Sequence, residues 1–254
     1  MTRRYRAVVS YDGTEFSGWQ VQTGRRTVQA EIENAIASVV NSPVPIFCSG
    51  RTDTGVHARG QVIHFDLPDY WPARKLFLAF NARLPVDVRI ERITATRADF
   101  DARFSARGKE YRYFIWNNPV STPDTRRTHA FVRQKLDVKS MNAAARQLEG
   151  RHDFAAFCAN PGYEREGTVR RLDCLRVSRR GAQVVIVARG EGFLYRMVRS
   201  LAGYLIRVGT GELRPEDTAL ILESKQRTAR VPTAQPQGLF LWRVYYGRMP
   251  RSLS

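Results

Sequence analysis

Lysine is scarce in this chain: five of its 41 basic residues are lysines, at positions 75, 109, 135, 139 and 225, and the other 36 are arginines. Cysteine is scarcer still. Cys48, Cys158 and Cys174 form no Cys-x-x-Cys pair, and three thiols cannot all pair within one chain. They read as reduced, small apolar packing residues of a cytoplasmic protein. Long apolar runs are missing too. Val184-Val185-Ile186-Val187-Ala188 is far too short to span a bilayer. Strand-like Tyr5–Tyr11 begins at once, so no signal peptide is expected. No Gly-x-x-x-x-Gly-Lys loop, no Gly-x-Gly-x-x-Gly after a strand and no Gly-x-Ser-x-Gly elbow occurs, and His57, His64, His129 and His152 do not pair at a metal-ligand spacing. The expectation is chemistry without ATP, NAD or metal: no cofactor.

What is present is positive charge. The net charge is +17 over 254 residues, with 43% hydrophobic and 26% charged residues, an ordinary globular balance apart from its sign. Charge of this size attracts polyanions, and guanidinium groups grip phosphates in pairs and stack on bases. RNA or DNA is the expected partner. An arginine excess also follows from codon composition alone. No amphipathic basic helix stands out at an end, so a membrane surface is not expected.

The most informative stretch is Gly50-Arg51-Thr52-Asp53-Thr54-Gly55-Val56-His57-Ala58. Two glycines bracket one acidic side chain, with an arginine two positions before it. Val44–Cys48 and Gln61–Asp66 on either side read as strands. Asp53 therefore tips a loop between two strands, where a rigid sheet presents a reactive group. The alternative is an Asx-turn, with Asp53 capping its own backbone.

The wider pattern is strand, helix, strand, strand, helix, strand, written twice. In the first half these are Tyr5–Tyr11, a helix capped by Thr27 with Val28, Ile32, Ile36 and Val39 on one face, the two strands around Asp53, a helix opened by Pro72 and ended by Pro85, and Val86–Thr96. In the second they are Lys109–Asn117, a helix capped by Asp137 and stopped by Gly150, a hairpin of Arg170–Arg179 and Gln183–Arg189, a helix over Phe193–Val208, and Gly238–Tyr246. This predicts an α+β fold of two ferredoxin-like halves, 1–104 and 105–254. Their sheets would join into one mixed, mainly antiparallel sheet with helices packed on it and an active-site cleft between the halves. Long polar loops at 13–24, 119–128 and 160–167 read as RNA contacts or as plain surface connections.

Two further features bear on chemistry. Tyr111 and Tyr113 lie on one face of a strand, either as an exposed stacking platform for a base, flanked by Lys109 and Arg112, or as core. Arg199 sits among Met197, Val198 and Leu201 on an apolar helix, where a guanidinium needs a carboxylate or phosphate partner. Pairing with Asp53 would keep that acid ionised and aimed, with Arg51 contributing or binding phosphate instead; a purely structural ion pair is the alternative.

Taken together, these segments resemble the tRNA pseudouridine synthase A family over nearly the whole chain. Gly50–Ala58 is similar to the family's Gly-Arg-Thr-Asp-Ala-Gly-Val-His-Ala signature. Tyr11-Asp12-Gly13, Phe16-Ser17-Gly18-Trp19-Gln20, Thr27-Val28-Gln29, Arg103-Phe104-Ser105-Ala106, Tyr111-Arg112-Tyr113, Gly150-Arg151-His152-Asp153-Phe154, Phe193–Arg199 and Gly238-Leu239-Phe240-Leu241 follow in family order. Thr54 stands where alanine is common, and Lys109 where arginine is frequent. The resemblance implies isomerisation of uridine to pseudouridine at positions 38, 39 and 40 of the tRNA anticodon arm, by a homodimer. It implies Asp53 as the catalytic acid, Tyr111 stacked on the target uracil, and Arg51 and Arg199 as basic partners of the site. A non-catalytic tRNA-binding protein and a nucleoside hydrolase are the competing classes; the latter usually needs a second carboxylate, which this loop lacks.

Overall fold

Tyr5, Ala7, Val9 and Tyr11 alternate with Arg4, Arg6, Val8 and Ser10 along β1 (Thr2–Tyr11), and the former four are buried. That period of two builds a sheet with one dry face. The computed structural model describes residues 2–68, 71–159 and 167–250. The 160–167 loop singled out above lies, but for Gly167, outside the described residues.

The chain divides into two compact units, Met1–Arg107 with Phe240–Met249, and Gly108–Leu239 with Pro250–Ser254. In the first, β1 is followed by α1 (Val28–Val40), β2 (Phe47–Cys48), β3 (His57–Pro68), α2 (Ala73–Asn81) and β4 (Val88–Ala95). The late strand β10 (Leu239–Tyr245) falls largely in this unit. Antiparallel pairing sets β1 between β3 and β4, from Thr2↔Pro68 to Tyr11↔Ala58 on one side and from Tyr5↔Ala95 to Tyr11↔Val88 on the other. β10 pairs with β3 in parallel, Phe240 opposite His57. β3 is buried along most of its length, as a central strand must be.

The second unit holds β5 (Gly108–Asn117), β6 (Ala130–Val132), α3 (Val138–Leu148), β7 (Gly150–Asp153), β8 (Val169–Arg180), β9 (Gln183–Gly190), α4 (Met197–Gly209) and α5 (Asp217–Ser224). Its antiparallel strands run in the order β5-β9-β8-β7, and β6 joins β5 in parallel. Ten strands, mixed and mainly antiparallel, with five α-helices among the described residues, make the expected α+β architecture.

Several expectations shift in detail. The strand read over Val44–Cys48 is only Phe47–Cys48; Val44 and Ile46 are buried as irregular chain instead. Thr27 occupies the cap position of α1, but its hydroxyl is buried without a partner. The first N–H groups of that helix go elsewhere: Val28 donates to Gly18 O and Gln29 to Trp19 O. Asp137 does cap α3, accepting from Lys139 N. The helix expected from Phe193 starts at Met197, because Arg196 adopts a left-handed φ of 55° and breaks the run. None of the three cysteines forms a disulfide, and each is half-buried rather than core. Among the described residues no helix is long and apolar enough to cross a membrane, and no group of three or more His, Cys, Asp or Glu could hold a metal ion.

One device recurs in both units. Asn81, at the end of α2, donates to Ile90 O (2.9 Å) and accepts from Ile90 N (3.0 Å), while also donating to Phe77 O within its helix. Asn142 of α3 does the same to Val177, donating at 2.8 Å and accepting at 2.9 Å, with Val138 O as its helical acceptor. Each amide acts as one residue of an extra strand and bolts a helix to β4 or β8. Asn142→Ala is expected to leave Val177 N and O without these partners and to lower stability by about 1–3 kcal/mol. Urea unfolding should show an earlier midpoint with an unchanged slope; coincidence with wild type would exclude the clamp.

Candidate active site

The Asp53 loop is a tight turn on a stiff base. Val56 N–H donates to Asp53 O (3.1 Å), and Gly55, third in that turn, has φ 75°, which only glycine adopts without strain. The approach to the loop is held by Gln61 of β3, wholly buried. Its carbonyl oxygen accepts from Ser49 Oγ (2.7 Å), and its amide donates to Gly50 O (2.8 Å). Thr52 is fixed twice: its O accepts from Trp19 N–H (3.1 Å), and its hydroxyl bonds Tyr11 Oη (2.8 Å). The Asp53 side chain is half-buried, and that of Arg51 is exposed.

A second segment presses on this turn from behind. Gly18, with φ 88°, lies so close that a Cβ there would sit 2.9 Å from Thr52 O, 3.2 Å from Thr54 N and 3.3 Å from Asp53 C. A Cβ on Gly13 would sit 2.1 Å from Val56 O. Gly13 N–H also donates to His57 Nδ1 (3.0 Å), and the His57 ring stacks on Phe240 at 4.5 Å. Phe16 and Trp19, from the same segment, are core residues. The loop at 13–24 is therefore no mere surface connection in its first half: residues 13–19 form the bed of the Asp53 turn. The glycine spacing carried that signal, but nothing in it told which backbone the glycines would touch. Arg26 fastens the far end. It grips Asp87 with two bonds of 2.7 and 2.9 Å, meets Glu31 at 2.9 Å, and lies 4.2 Å over the Phe16 ring.

Tyr111 and Arg199 belong to the second unit. Tyr111 is 9% exposed and meets Phe193 edge to face at 5.0 Å. Tyr113, on the same face, is fully buried, and its hydroxyl donates to Gln235 O (2.9 Å). Burial pushes that phenol well above its ordinary pKa. Of the two readings left open for this strand face, core holds for Tyr113, while Tyr111 is 9% exposed. Arg112 pairs with buried Glu110 at 2.9 Å. Arg199 is half-buried in the first turn of α4, a helix otherwise almost wholly in the core. Its Nε donates to Ala234 O (2.8 Å), and its own carbonyl accepts from Ala234 N (3.0 Å).

Chemically, the first unit thus offers one carboxylate on an immobilised turn with a guanidinium two residues away. That suits attack on, or proton removal from, a bound substrate. Comparison with known proteins gives the family. The family model described as tRNA pseudouridine synthase matches residues 7–105 and 144–247. The chain is 45% identical to tRNA pseudouridine synthase A of Brevibacillus brevis, covering 96% of this chain and all of that protein. It is 42% identical to the same enzyme of Geobacillus kaustophilus (97% and 95% covered) and 43% identical to that of Bacillus subtilis (96% and 99% covered). A match of this extent, spanning both the Asp53 turn and the Arg199 helix, places the chain in the tRNA pseudouridine synthase family.

Proposed function

We propose that this isomerase of tRNA uridine acts in the anticodon arm, at positions 38, 39 and 40, with Asp53 as its nucleophile or base. The observation that carries the reading is the Asp53 carboxylate, half-buried on a turn whose backbone is held by Trp19 and Gly18 and whose Thr52 hydroxyl is held by Tyr11. The reaction breaks the N1–C1′ bond of uridine, turns the base and joins C5 to C1′. The proton on C5 leaves and N1 gains one, so atoms and electrons balance with no imported group. That balance is why a cofactor is not required. Asp53 serves by attacking C1′ or C6, or by taking a proton from the ribose. Tyr111 stacks on the target uracil and offsets part of the cost of unstacking it from the RNA. Arg51 and Arg199 hold the carboxylate ionised or bind phosphates. The enzyme works as a cytoplasmic homodimer, in keeping with the family resemblance.

Unmodified tRNA transcripts, mapped for pseudouridine at single-nucleotide resolution after incubation, test the positions. Conversion elsewhere, or release of free uracil, would refute them. Asp53→Asn is expected to lower turnover by at least roughly 10²–10⁴-fold while tRNA affinity holds; normal turnover removes Asp53 from the chemistry. Gly18→Ala should displace the turn and lower kcat, since a shift of about 1 Å at a reacting group costs on the order of 10²-fold. A Gly18→Ala enzyme with wild-type kcat would show that the turn tolerates the added carbon. Tyr111→Phe should retain activity and Tyr111→Leu should lose it, beyond any change in melting temperature. Equal rates for the two variants would dismiss the stacking role.

A further inference from the structure

Two phenylalanines of the first unit are left in water although the chain beneath them is rigid. Phe104 is 81% exposed and Phe47 is 55% exposed. Single exposed apolar residues are ordinary, but the mounting of these two is not. Asp101 Oδ1 accepts from Arg103 N–H (2.7 Å) and Phe104 N–H (2.8 Å). Ser105 closes the same turn, donating its N–H to Asp101 O (3.0 Å) and accepting Asp101 N–H on Oγ (3.0 Å). The backbone of Phe104 is thus pinned while its ring stays exposed, with the Arg103 guanidinium 5.3 Å from its centroid.

Phe47 sits on β2 opposite His64 of β3, its ring nearly parallel to the imidazole at 5.0 Å and 18°. The same imidazole accepts Ala102 N–H on Nδ1 (3.0 Å), two residues before Phe104. One buried histidine therefore anchors both mountings. Arg103 borders Phe104, and in the packing behind the turn Arg6 lies 5.6 Å over Phe100 and 5.7 Å over Tyr246, whose hydroxyl donates to Ala102 O. Flat, pre-positioned aromatic faces edged by guanidinium groups are what unpaired nucleobases and their phosphates require. A protein partner would favour a contiguous apolar patch with fewer charges at its centre.

We propose that Phe104 and Phe47, with Arg103, form a stacking site for an unpaired nucleobase of the tRNA other than the target uridine. This rests on tRNA being the substrate, but its test reads binding, not turnover, so it stands or falls apart from the role of Asp53. Equilibrium binding of an unmodified tRNA transcript at fixed salt is expected to weaken on the order of 10-fold in Phe104→Ala and in Phe47→Ala, by loss of base stacking. Phe104→Trp should restore affinity, and its added tryptophan emission should fall when tRNA binds. The melting temperature of Phe104→Ala should match wild type; Phe47→Ala uncovers His64, so its affinity is read well below its own melting transition. Wild-type affinity in both alanine variants would overturn the proposal. So would a change in molecular mass in solution without a change in affinity, which would assign the rings to a second copy of the chain.

Discussion

Everything at the candidate site depends on a backbone-to-backbone contact that leaves no room for a side-chain carbon. Gly18 lies against the peptide units of Thr52, Asp53 and Thr54, and Gly13 lies against Val56. A carboxylate on a free loop would sample many positions, each costing effective concentration at the reacting atom. Here the turn is trapped between β3, through Gln61, and the segment that follows β1, through Gly13, Gly18 and Trp19. Interactions of this kind are made before substrate arrives, so the ordering cost is met on folding and not on binding.

That bed also explains why α1 starts where it does. Its leading N–H groups are taken by the carbonyls of Gly18 and Trp19, so the helix and the Asp53 turn share one short segment as a common support. Thr27 needs no capping bond there. Arg26 closes the same assembly from outside through Asp87 and Glu31. Its charge is thereby spent within the protein, which shows that the arginine excess is not uniformly an RNA-binding surface. Arg112, paired with Glu110, makes the same point in the second unit.

Much of this was legible in the residues. Alternation in β1 and the helical spacing from Val28 to Ile36 come from burial on one face, and burial is local enough to read. The Asp53 loop was legible because Gly, Thr and Asp between two apolar runs have few uses besides a turn. What escaped depends on tertiary partners. The exposure of a strand face is decided by what packs over it, so the residues left platform and core open for Tyr111 and Tyr113, and only the fold buries Tyr113 fully while leaving Tyr111 9% exposed. The late start of α4 turns on one left-handed residue, Arg196, for which arginine carries no preference. The short strands β6 and β7 are too brief for any periodicity to form. Nor did Gln61 stand out, since in sequence a glutamine on an alternating strand reads as a solvent-facing residue.

The chemistry sets its own demand on this architecture. An isomerisation that keeps every atom of the nucleotide gains nothing from imported electrons or groups; it must instead hold a severed base beside its ribose until the new carbon–carbon bond forms. Water must be kept from C1′ during that interval, or hydrolysis replaces isomerisation. A mobile acid would open and close that space with each fluctuation. If Asp53 acts as proposed, a turn held at Thr52, Asp53 O and Val56 N keeps that acid in one place. On that proposal the held turn serves outcome as well as rate: it favours rejoining the base over losing it.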